Sequence, residues 1–207
     1  MRSTLAVSLA SIFLAAGPAP LADDGTPLLR GADPAQFELV GIGAGSIAIV
    51  DGEVRLTGKP LGYFATRQDY GDFILSFDWR YDRPADLTTD AGFRGNSGVL
   101  VRISRPHKVW PGCVQVQLAQ ADAGAVFAID DPTFRGRGDP AAQKAAVKAV
   151  GEWNRSEVTC RGGTVVSVLN GVEVARGDSA RTARSPIGWQ SEGRPIRFRA
   201  IRVKSLD

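Results

Sequence analysis

The stretch Phe73–Tyr81 constrains the fold more than any other part of the sequence. Large apolar side chains occupy every second position, and the residues between them include Ser76, Asp78 and Arg80. Successive side chains of a β-strand point to opposite faces, so a period of two indicates a strand with one buried face. We therefore expect the aromatic row to face a core, and Asp78 and Arg80 to face outward or into a groove.

Short strands joined by tight turns account for most of the remaining chain. Asp51-Gly52 and Asn170-Gly171 are dipeptides typical of hairpin turns, and the 24 glycines fit many such turns. A long loop is expected over 130–151, with a short helical stretch at 141–150. This pattern predicts an all-β fold, a two-sheet antiparallel sandwich. The predicted strands are 46–50, 53–57, 73–81, 97–104, 112–119, 153–161, 164–169, 172–176, 186–192 and 195–204.

The N-terminal residues have the layout of a secretory signal peptide. Arg2 supplies a positive charge, residues 5–16 are almost entirely apolar, and small residues and prolines follow. The apolar run is shorter than the roughly 20 residues that span a bilayer. A buried N-terminal helix is the alternative, although Gly17-Pro18 would end it. We expect export to the periplasm or the extracellular space, with a signal peptide at 1–22 cleaved near 17–22, a lead-in at 23–36 and one domain at 37–207.

Charge and cysteine content narrow the classes of function. The formal net charge is +3 and charges of both signs are mixed along the chain, whereas nucleic-acid-binding proteins cluster their basic residues. No later apolar run is long enough to cross a membrane. We therefore expect neither a nucleic-acid partner nor a membrane span, and the oligomeric state stays open. Cys113 and Cys160 could form a disulfide in an oxidising compartment or remain two buried thiols.

A metal cofactor is poorly supported by the sequence. His107 is the only histidine and there is no Cys-x-x-Cys, so a transition-metal site built from histidine is not expected. A divalent metal held by the oxygens of Asp82, Asp86 and Asp90 remains an alternative, although this segment lacks a calcium-loop signature. We predict no metal ligands.

Six segments, taken in order, resemble a known family. They are 96–102 (NSGVLVR), 115–117 (QVQ), 151–154 (GEWN), 169–171 (LNG), 186–190 (PIGWQ) and 196–203 (IRFRAIRV). In this order and spacing they are similar to the 3-keto-disaccharide hydrolase domain, whose members are also described as 3-keto-glucoside 1,2-lyases and 3-keto-2-hydroxyglucal hydratases. The resemblance implies a jelly-roll sandwich of the concanavalin/laminin-G type over nearly the whole of the chain after residue 35.

Several positions depart from the family's usual pattern. Gln115 stands where the family commonly has glutamate, and Ala119-Gln120 stand where an acidic residue often follows that strand. Glu192 replaces the histidine of a Gln-x-His-Gly segment, and Ala200 replaces an asparagine. One carboxylate has thus become an amide, and one imidazole has become a carboxylate.

The activity implied by the resemblance is cleavage of 3-keto-glycosides by elimination and hydration. A 3-keto group makes the proton on carbon 2 acidic, a base removes that proton, and the group on carbon 1 then leaves. Such a site needs a base with a pKa near neutrality and a group that stabilises the enolate.

The alternation of side chains between the two faces of a strand, here called strand parity, places candidate residues for these roles. Gln115 and Gln117 point to one face of their strand, and Gln190 and Glu192 share one face of another. We expect these four to converge with Arg102 on one concave surface. The catalytic candidates are Glu192 as the base, Arg102 and Gln115, and the substrate-binding candidates are Arg80, Gln117, Gln190, Arg199 and Trp189.

Other interpretations of these residues stay open. Glu192 is alternatively a solvated or salt-bridged strand residue, and nearby arginines would hold its pKa low. His107 lies in a loop where exposure is expected, and it is the next candidate base. Trp110 is a second candidate for stacking on a sugar, whereas Trp153 is expected in the core.

The fold by itself does not fix the function. A non-catalytic glycan-binding module on the same fold is the main alternative to an enzyme acting on carbohydrate. A domain that binds protein in the cell envelope is the third, and it would require an exposed apolar face.

Overall fold

The computed structural model describes residues 25–207, and the predicted signal peptide at 1–22 lies outside them. This part of the chain is β-structure with one short helix, α1, Pro140–Ala146. The strands in chain order are β1 Thr26–Pro27, β2 Phe37–Val40, β3 Ile47–Val50, β4 Glu53–Leu56, β5 Gly62–Thr66, β6 Phe73–Tyr81, β7 Gly98–Val101, β8 Cys113–Gln117, β9 Val126–Ile129, β10 Arg135–Gly138, β11 Asn154–Arg161, β12 Thr164–Leu169, β13 Val172–Asp178, β14 Gly188–Ser191 and β15 Ile196–Ser205.

Two antiparallel sheets form a sandwich. The nine-stranded sheet has the order β10-β13-β12-β11-β6-β15-β4-β3, with β1 paired to β15. The six-stranded sheet has the order β2-β5-β14-β7-β8-β9. The predicted all-β, two-sheet antiparallel architecture is confirmed. Within residues 25–207, no helix is both long enough and apolar enough to cross a membrane.

The aromatic row of β6 faces the space between the sheets, as predicted. Phe73, Leu75, Phe77, Trp79 and Tyr81 are each at most 1% exposed, and the positions between them are half-buried. Because β6 pairs with both β11 and β15, it lies well inside the nine-stranded sheet. The alternation in the sequence therefore predicts correctly which side chains of this strand face the core.

Trp189 also lies between the sheets, which corrects its predicted place on a substrate surface. Its ring is 0% exposed, stacks on Phe64 at a centroid distance of 5.0 Å, and meets Phe77 edge-on at 6.4 Å. Neighbouring residues of a strand point to opposite faces. Since Gln190 faces outward, Trp189 must face inward, and it is a core aromatic.

Some elements were not predicted from the sequence. Five strands, β1, β2, β5, β9 and β10, are absent from the predicted set, and β10 falls within the expected long loop. All four residues of β10 are exposed, and it forms by pairing with β13 at the sheet edge. The predicted helical stretch is confirmed as α1, where the Asp139 side chain accepts hydrogen bonds from the first backbone N–H groups.

Cys113 and Cys160 are free, buried thiols. They lie in different sheets, in β8 and β11. Burial raises the pKa of each thiol to about 12. The disulfide alternative is therefore wrong for this structure, and both side chains act as small apolar groups.

Candidate functional site

The three predicted glutamine side chains, Gln115, Gln117 and Gln190, meet on the outer face of the six-stranded sheet. Gly98 of β7 pairs with Gln117 of β8, and the pairing of Trp189 with Val99 sets Gln190 on the other side of Gly98. Gln115 lies one step along the same face, paired with Leu100. The predicted convergence of Gln115, Gln117 and Gln190 is thus confirmed by the strand register.

Gly98 has no side chain, and the amide groups of Gln190 and Gln115 approach each other in the space beside it. A Cβ atom at Gly98 would lie 2.6 Å from Gln190 Oε1 and 2.7 Å from Gln115 Nε2. Gln190 is 1% exposed, and neither its Nε2 nor its Oε1 makes a hydrogen bond within the described part of the chain. A buried polar group without a partner is costly. The hydrogen-bonding capacity of the buried Gln190 amide is therefore left unused by the described residues.

A chain of hydrogen bonds orients the other two amides. Gln115 Nε2 donates to Gln117 Oε1 at 3.0 Å, and the Gln117 side chain in turn bonds the Asp122 carboxyl. Asp122 lies in the turn between β8 and β9, which folds back so that Gly124 N donates to Gln117 O at 2.7 Å. Asp122 is not among the predicted site residues, because the family pattern points to an acid directly after the strand, at 119–120.

Two carboxyl groups have a raised pKa: Asp122, and Glu192, which follows β14 and bridges to Asn96 just before β7. Burial raises the pKa of Glu192, and a hydrogen bond from Asn96 offsets part of that shift. Burial likewise raises the pKa of Asp122, against the hydrogen bond from Gln117. Arginine contributes to neither shift, so the prediction that nearby arginines hold the Glu192 pKa low is wrong.

Tyr81 connects the two carboxyl groups electrostatically. Burial raises the pKa of its phenol well above the ordinary value, and the charges of Glu192 and Asp122 both add to that shift. Both carboxylates therefore lie close enough to act on one buried phenol. Two carboxyl groups that have raised pKa values and act on one buried phenol are candidates for acid–base chemistry.

The sequence of residues 24–204 matches the family of 3-keto-alpha-glucoside-1,2-lyase-like domains. The chain belongs to this family. The match covers nearly all of the part that the structure describes, and it confirms the resemblance read from the six sequence segments. No curated protein sequence matches the chain.

Solved structures show that the lyase-like domain has a jelly-roll fold. Two candidate glycosyl hydrolases from Parabacteroides distasonis are each 19% identical to it, with TM-scores of 0.61 and 0.63. The alignments cover 83% and 89% of this chain, and 94% and 95% of theirs. A Bacillus subtilis protein with a galectin-like fold is 11% identical with a TM-score of 0.59, over 83% of this chain and 90% of that one. The family is that of a carbohydrate-active, glucoside-lyase-like domain, and the solved structures share its fold.

Arg102 lies away from the amides of the lyase-like domain, so its predicted convergence with them is wrong. Its backbone has a φ of 56° at the end of β7, which redirects the side chain. The guanidinium group is 1% exposed. It donates to Gly71 O at 2.7 Å, Asp72 Oδ1 at 2.8 Å and Gly162 O at 2.8 Å. Arg102 therefore ties β7 of the six-stranded sheet to loops of the other sheet.

Arg80 and Arg199 lie on the outer face of the nine-stranded sheet, across the sandwich from the amides. Their guanidinium carbons are 4.8 Å and 4.0 Å from the ring centroid of Trp153, and Arg199 Nε donates to Asp78 at 3.1 Å. The prediction that they line the same groove as Gln190 is wrong. Trp153 is half-buried between these arginines on the outer face, not in the core as expected.

The segment between β7 and β8 crosses the outer face beside the amides. His107 Nδ1 lies 2.9 Å from Glu38 Oε1 on β2, at the far edge of the sheet, and the His107 side chain is only 7% exposed. The expectation of an exposed His107 is therefore wrong. The crossing buries the outward side chains beneath it, including Tyr63 and Leu100 at 0% exposed.

Two exposed aromatic side chains belong to this side of the lyase-like domain. Phe127 of β9 pairs with Gln115 of β8 and is 38% exposed. Trp110, in the crossing segment, is 41% exposed. Trp110 is a predicted candidate for stacking on a sugar. Phe127 is not, because β9 is absent from the predicted strands. An aromatic face next to hydrogen-bonding amides suits a sugar ring.

No cluster of three or more metal-ligating side chains occurs within residues 25–207. Of the carboxylates in the suggested calcium segment, Asp82 is bound by Arg197 Nε at 2.6 Å. Asp90 is bound by Arg83 at 2.6 Å and by Val150 N at 2.9 Å. These oxygens are committed to protein donors, so they do not form a ready cation site.

Proposed function

We propose that this domain cleaves 3-keto-glycosides by elimination, followed by hydration of the product. The observation that carries the proposal is the buried, unpaired Gln190 amide, two residues before Glu192 in the chain. Burial has raised the pKa values of Glu192 and of Asp122. A 3-keto sugar offers an acceptor oxygen for Gln190 Nε2 and an acidic C–H for a carboxylate. Both properties are needed for elimination, and a neutral sugar without the ketone lacks the second.

In the first step Glu192 takes the proton from carbon 2 of the sugar. The electron pair of that C–H bond forms an enolate, and its negative charge rests on the oxygen at carbon 3. The N–H of Gln190, a side chain that is 1% exposed, donates to this oxygen and stabilises the charge.

In the second step the enolate expels the substituent on carbon 1. The bond from carbon 1 to the leaving oxygen breaks, a double bond forms between carbons 1 and 2, and the ketone is restored. Asp122 in its acid form gives a proton to the leaving oxygen. Water then adds across the double bond, so the net reaction is hydrolysis.

The raised pKa values suit this division of roles. A carboxylate whose pKa is raised by burial is a stronger base than an exposed one, and a buried carboxylic acid holds its proton to a higher pH. Gln115 and Gln117 have no useful basicity. Their hydrogen-bond chain instead holds Asp122 in place.

The test is cleavage of a 3-keto-glucoside by purified protein, followed by ultraviolet absorbance of the unsaturated product. Glu192→Gln keeps the shape of the side chain but removes the base, so we expect kcat to fall about 10²–10⁴-fold. Glu173→Gln is the matched control, because Glu173 lies on β13 of the other sheet in an exposed pair with Arg176. Equal activity of wild type and Glu192→Gln would remove Glu192 from the mechanism.

A non-catalytic glycan-binding module is the second candidate function. It is favoured by Gln115, an amide that bonds another amide at a position where the family commonly has a carboxylate. Titration of wild type with a 3-keto-glucoside separates the two functions. Binding without any unsaturated product, in wild type and Glu192→Gln alike, would support the binding module.

We also propose that the protein is exported to the periplasm or the extracellular space. The support is the basic start, the apolar run at 5–16 and the small residues after it. The check is cell fractionation of C-terminally tagged protein with N-terminal sequencing of the product. A first residue between 18 and 23 is expected, and an uncleaved cytoplasmic protein would contradict export.

A further inference from the structure

A cavity lies at the edge of the six-stranded sheet, apart from the amide cluster. It has a volume of about 310 Å³ and is formed by the lead-in segment, the start of β2 and the end of β5. None of the amide-site residues lines it. Its size is at the lower end of small-molecule sites.

One wall of this cavity is held by an internal hydrogen-bond network. Gln36 Oε1 accepts from Arg30 N at 2.9 Å, and Gln36 Nε2 donates to Asp33 O at 2.8 Å. Arg67 Nε, from the end of β5, donates to Ala35 O at 3.0 Å. Residues 30–36 are thereby closed into a loop and attached to the sheet, so the cavity is preformed.

The cavity carries positive charge without a matching acid. Arg30 and Arg67 both line it, and no aspartate or glutamate does. Three acids near these arginines along the chain bond other groups. Asp33 accepts from Ala35 N at 2.8 Å, Asp69 pairs with Arg105 at 3.2 Å, and Glu38 contacts His107 at 2.9 Å. Neither the Arg30 guanidinium nor the terminal nitrogens of Arg67 bond any group within residues 25–207.

The floor of the cavity is aromatic. Phe37 and Tyr70 are 2% and 6% exposed, and both line it. Burial raises the pKa of the Tyr70 phenol, and the positive charge of Arg30 acts against that shift, which places the guanidinium near the phenol. Because both aromatic side chains are buried, they close the cavity and offer a ligand little ring surface. The two guanidinium groups, which have no acidic partner in the cavity lining, match a ligand that carries a carboxylate.

We propose that this cavity binds a small organic carboxylate. Arginine is suited to the role because its planar donors match the two carboxylate oxygens. A hexuronic acid and an aromatic acid share this chemistry, and the test below separates them. The proposal does not depend on the proposed lyase activity, because the two sites share no residue.

The test is isothermal titration of the full protein with glucuronate and with benzoate. Glucose and benzyl alcohol serve as the neutral counterparts. We expect at least one carboxylate to bind more tightly than its neutral counterpart, and the affinity to weaken at higher salt. Whichever acid binds identifies the source of the ligand. If neither acid binds better than its neutral counterpart, the proposal is overturned.

Variants locate the binding in the cavity. Arg30→Gln and Arg67→Gln should each raise Kd about tenfold or more, because each removes a charge-assisted hydrogen bond. Arg137→Gln is the matched control, since Arg137 is a 74% exposed arginine on β10 of the other sheet. Gly98→Ala, which fills the amide site, should leave this Kd unchanged. Carboxylate binding that persists in both Arg30→Gln and Arg67→Gln would refute the assignment.

Discussion

Replacing Arg102 with glutamine should destabilise the domain rather than remove a catalytic group. The change deletes three hydrogen bonds from a side chain that is 1% exposed. One of these bonds is an ion pair with Asp72, and two go to backbone carbonyls. Removing one partner of a fully buried ion pair costs about 3–5 kcal/mol.

The partial exposure of Asp72 lowers that cost. Its side chain is 29% exposed, and it keeps two hydrogen bonds of 2.9 Å from Gly162 N after the change. Charge-assisted hydrogen bonds contribute about 1.5–3 kcal/mol each. We therefore expect Arg102→Gln to lower the free energy of unfolding by about 3 kcal/mol, which lowers Tm by about 6–12 °C in a domain of this size.

The effect should depend on pH in a defined direction. The backbone N–H of Gly162 and then the Arg102 side chain hold the pKa of Asp72 below its ordinary value. A carboxyl whose pKa is lower in the folded state stabilises the fold above its unfolded-state pKa, and that stabilisation is lost as pH falls through the folded value. The difference in unfolding free energy between wild type and Arg102→Gln should therefore shrink in acid.

Urea unfolding at neutral and at acidic pH measures both expectations. Arg105→Gln is the control, because Arg105 is 67% exposed in its pair with Asp69 and such surface pairs contribute about 0–1 kcal/mol. The structural role would be refuted if Arg102→Gln unfolded at the same urea concentration as wild type while losing cleavage of a 3-keto-glucoside.

The remaining predictions concern the amide site. Gly98→Ala should abolish cleavage and sugar binding, because the new Cβ would lie 2.6 Å from Gln190 Oε1. Gly45→Ala is the control, since Gly45 has open space around it and both properties should stay unchanged. An active Gly98→Ala variant would show that the space at Gly98 is not used. Phe127→Ala should raise KM about 2–12-fold with kcat little changed, since stacking of a sugar on an aromatic ring contributes about 0.5–1.5 kcal/mol. Val172→Ala is the control, because Val172 is 44% exposed on the other sheet. An unaltered KM in Phe127→Ala would exclude stacking on Phe127. The pH profile of kcat/KM should rise through an apparent pKa above the ordinary glutamate value, because burial raises the pKa of Glu192; a midpoint at or below that value would contradict Glu192 as the base.

Strand parity was the most reliable guide that the sequence offered. It predicted the buried row of β6, and it placed Gln115 with Gln117 and Gln190 with Glu192 on shared faces. Parity follows from backbone geometry alone, so it needs no knowledge of the partner strands. The same rule would have excluded Trp189 from the site, because Trp189 is adjacent to Gln190 on one strand.

The tertiary structure decided which faces meet. Arg80 and Arg199 point outward as parity requires, but from the sheet opposite the amides. Two outer faces of a sandwich have the same alternating pattern, so the sequence does not tell one from the other. Asp122 joined the site only because the β8–β9 turn folds back onto Gln117.

The amino-acid sequence by itself determined the all-β class, the family and the inward or outward direction of each strand residue. The three-dimensional pairing of β14, β7 and β8 decided that three glutamines share one cluster. It also decided that Arg102, redirected by a positive φ, serves the structure instead of the site. The physical reason is that side-chain direction is a local property of the backbone. Which side chains become neighbours depends instead on the pairing of strands that are far apart in the sequence.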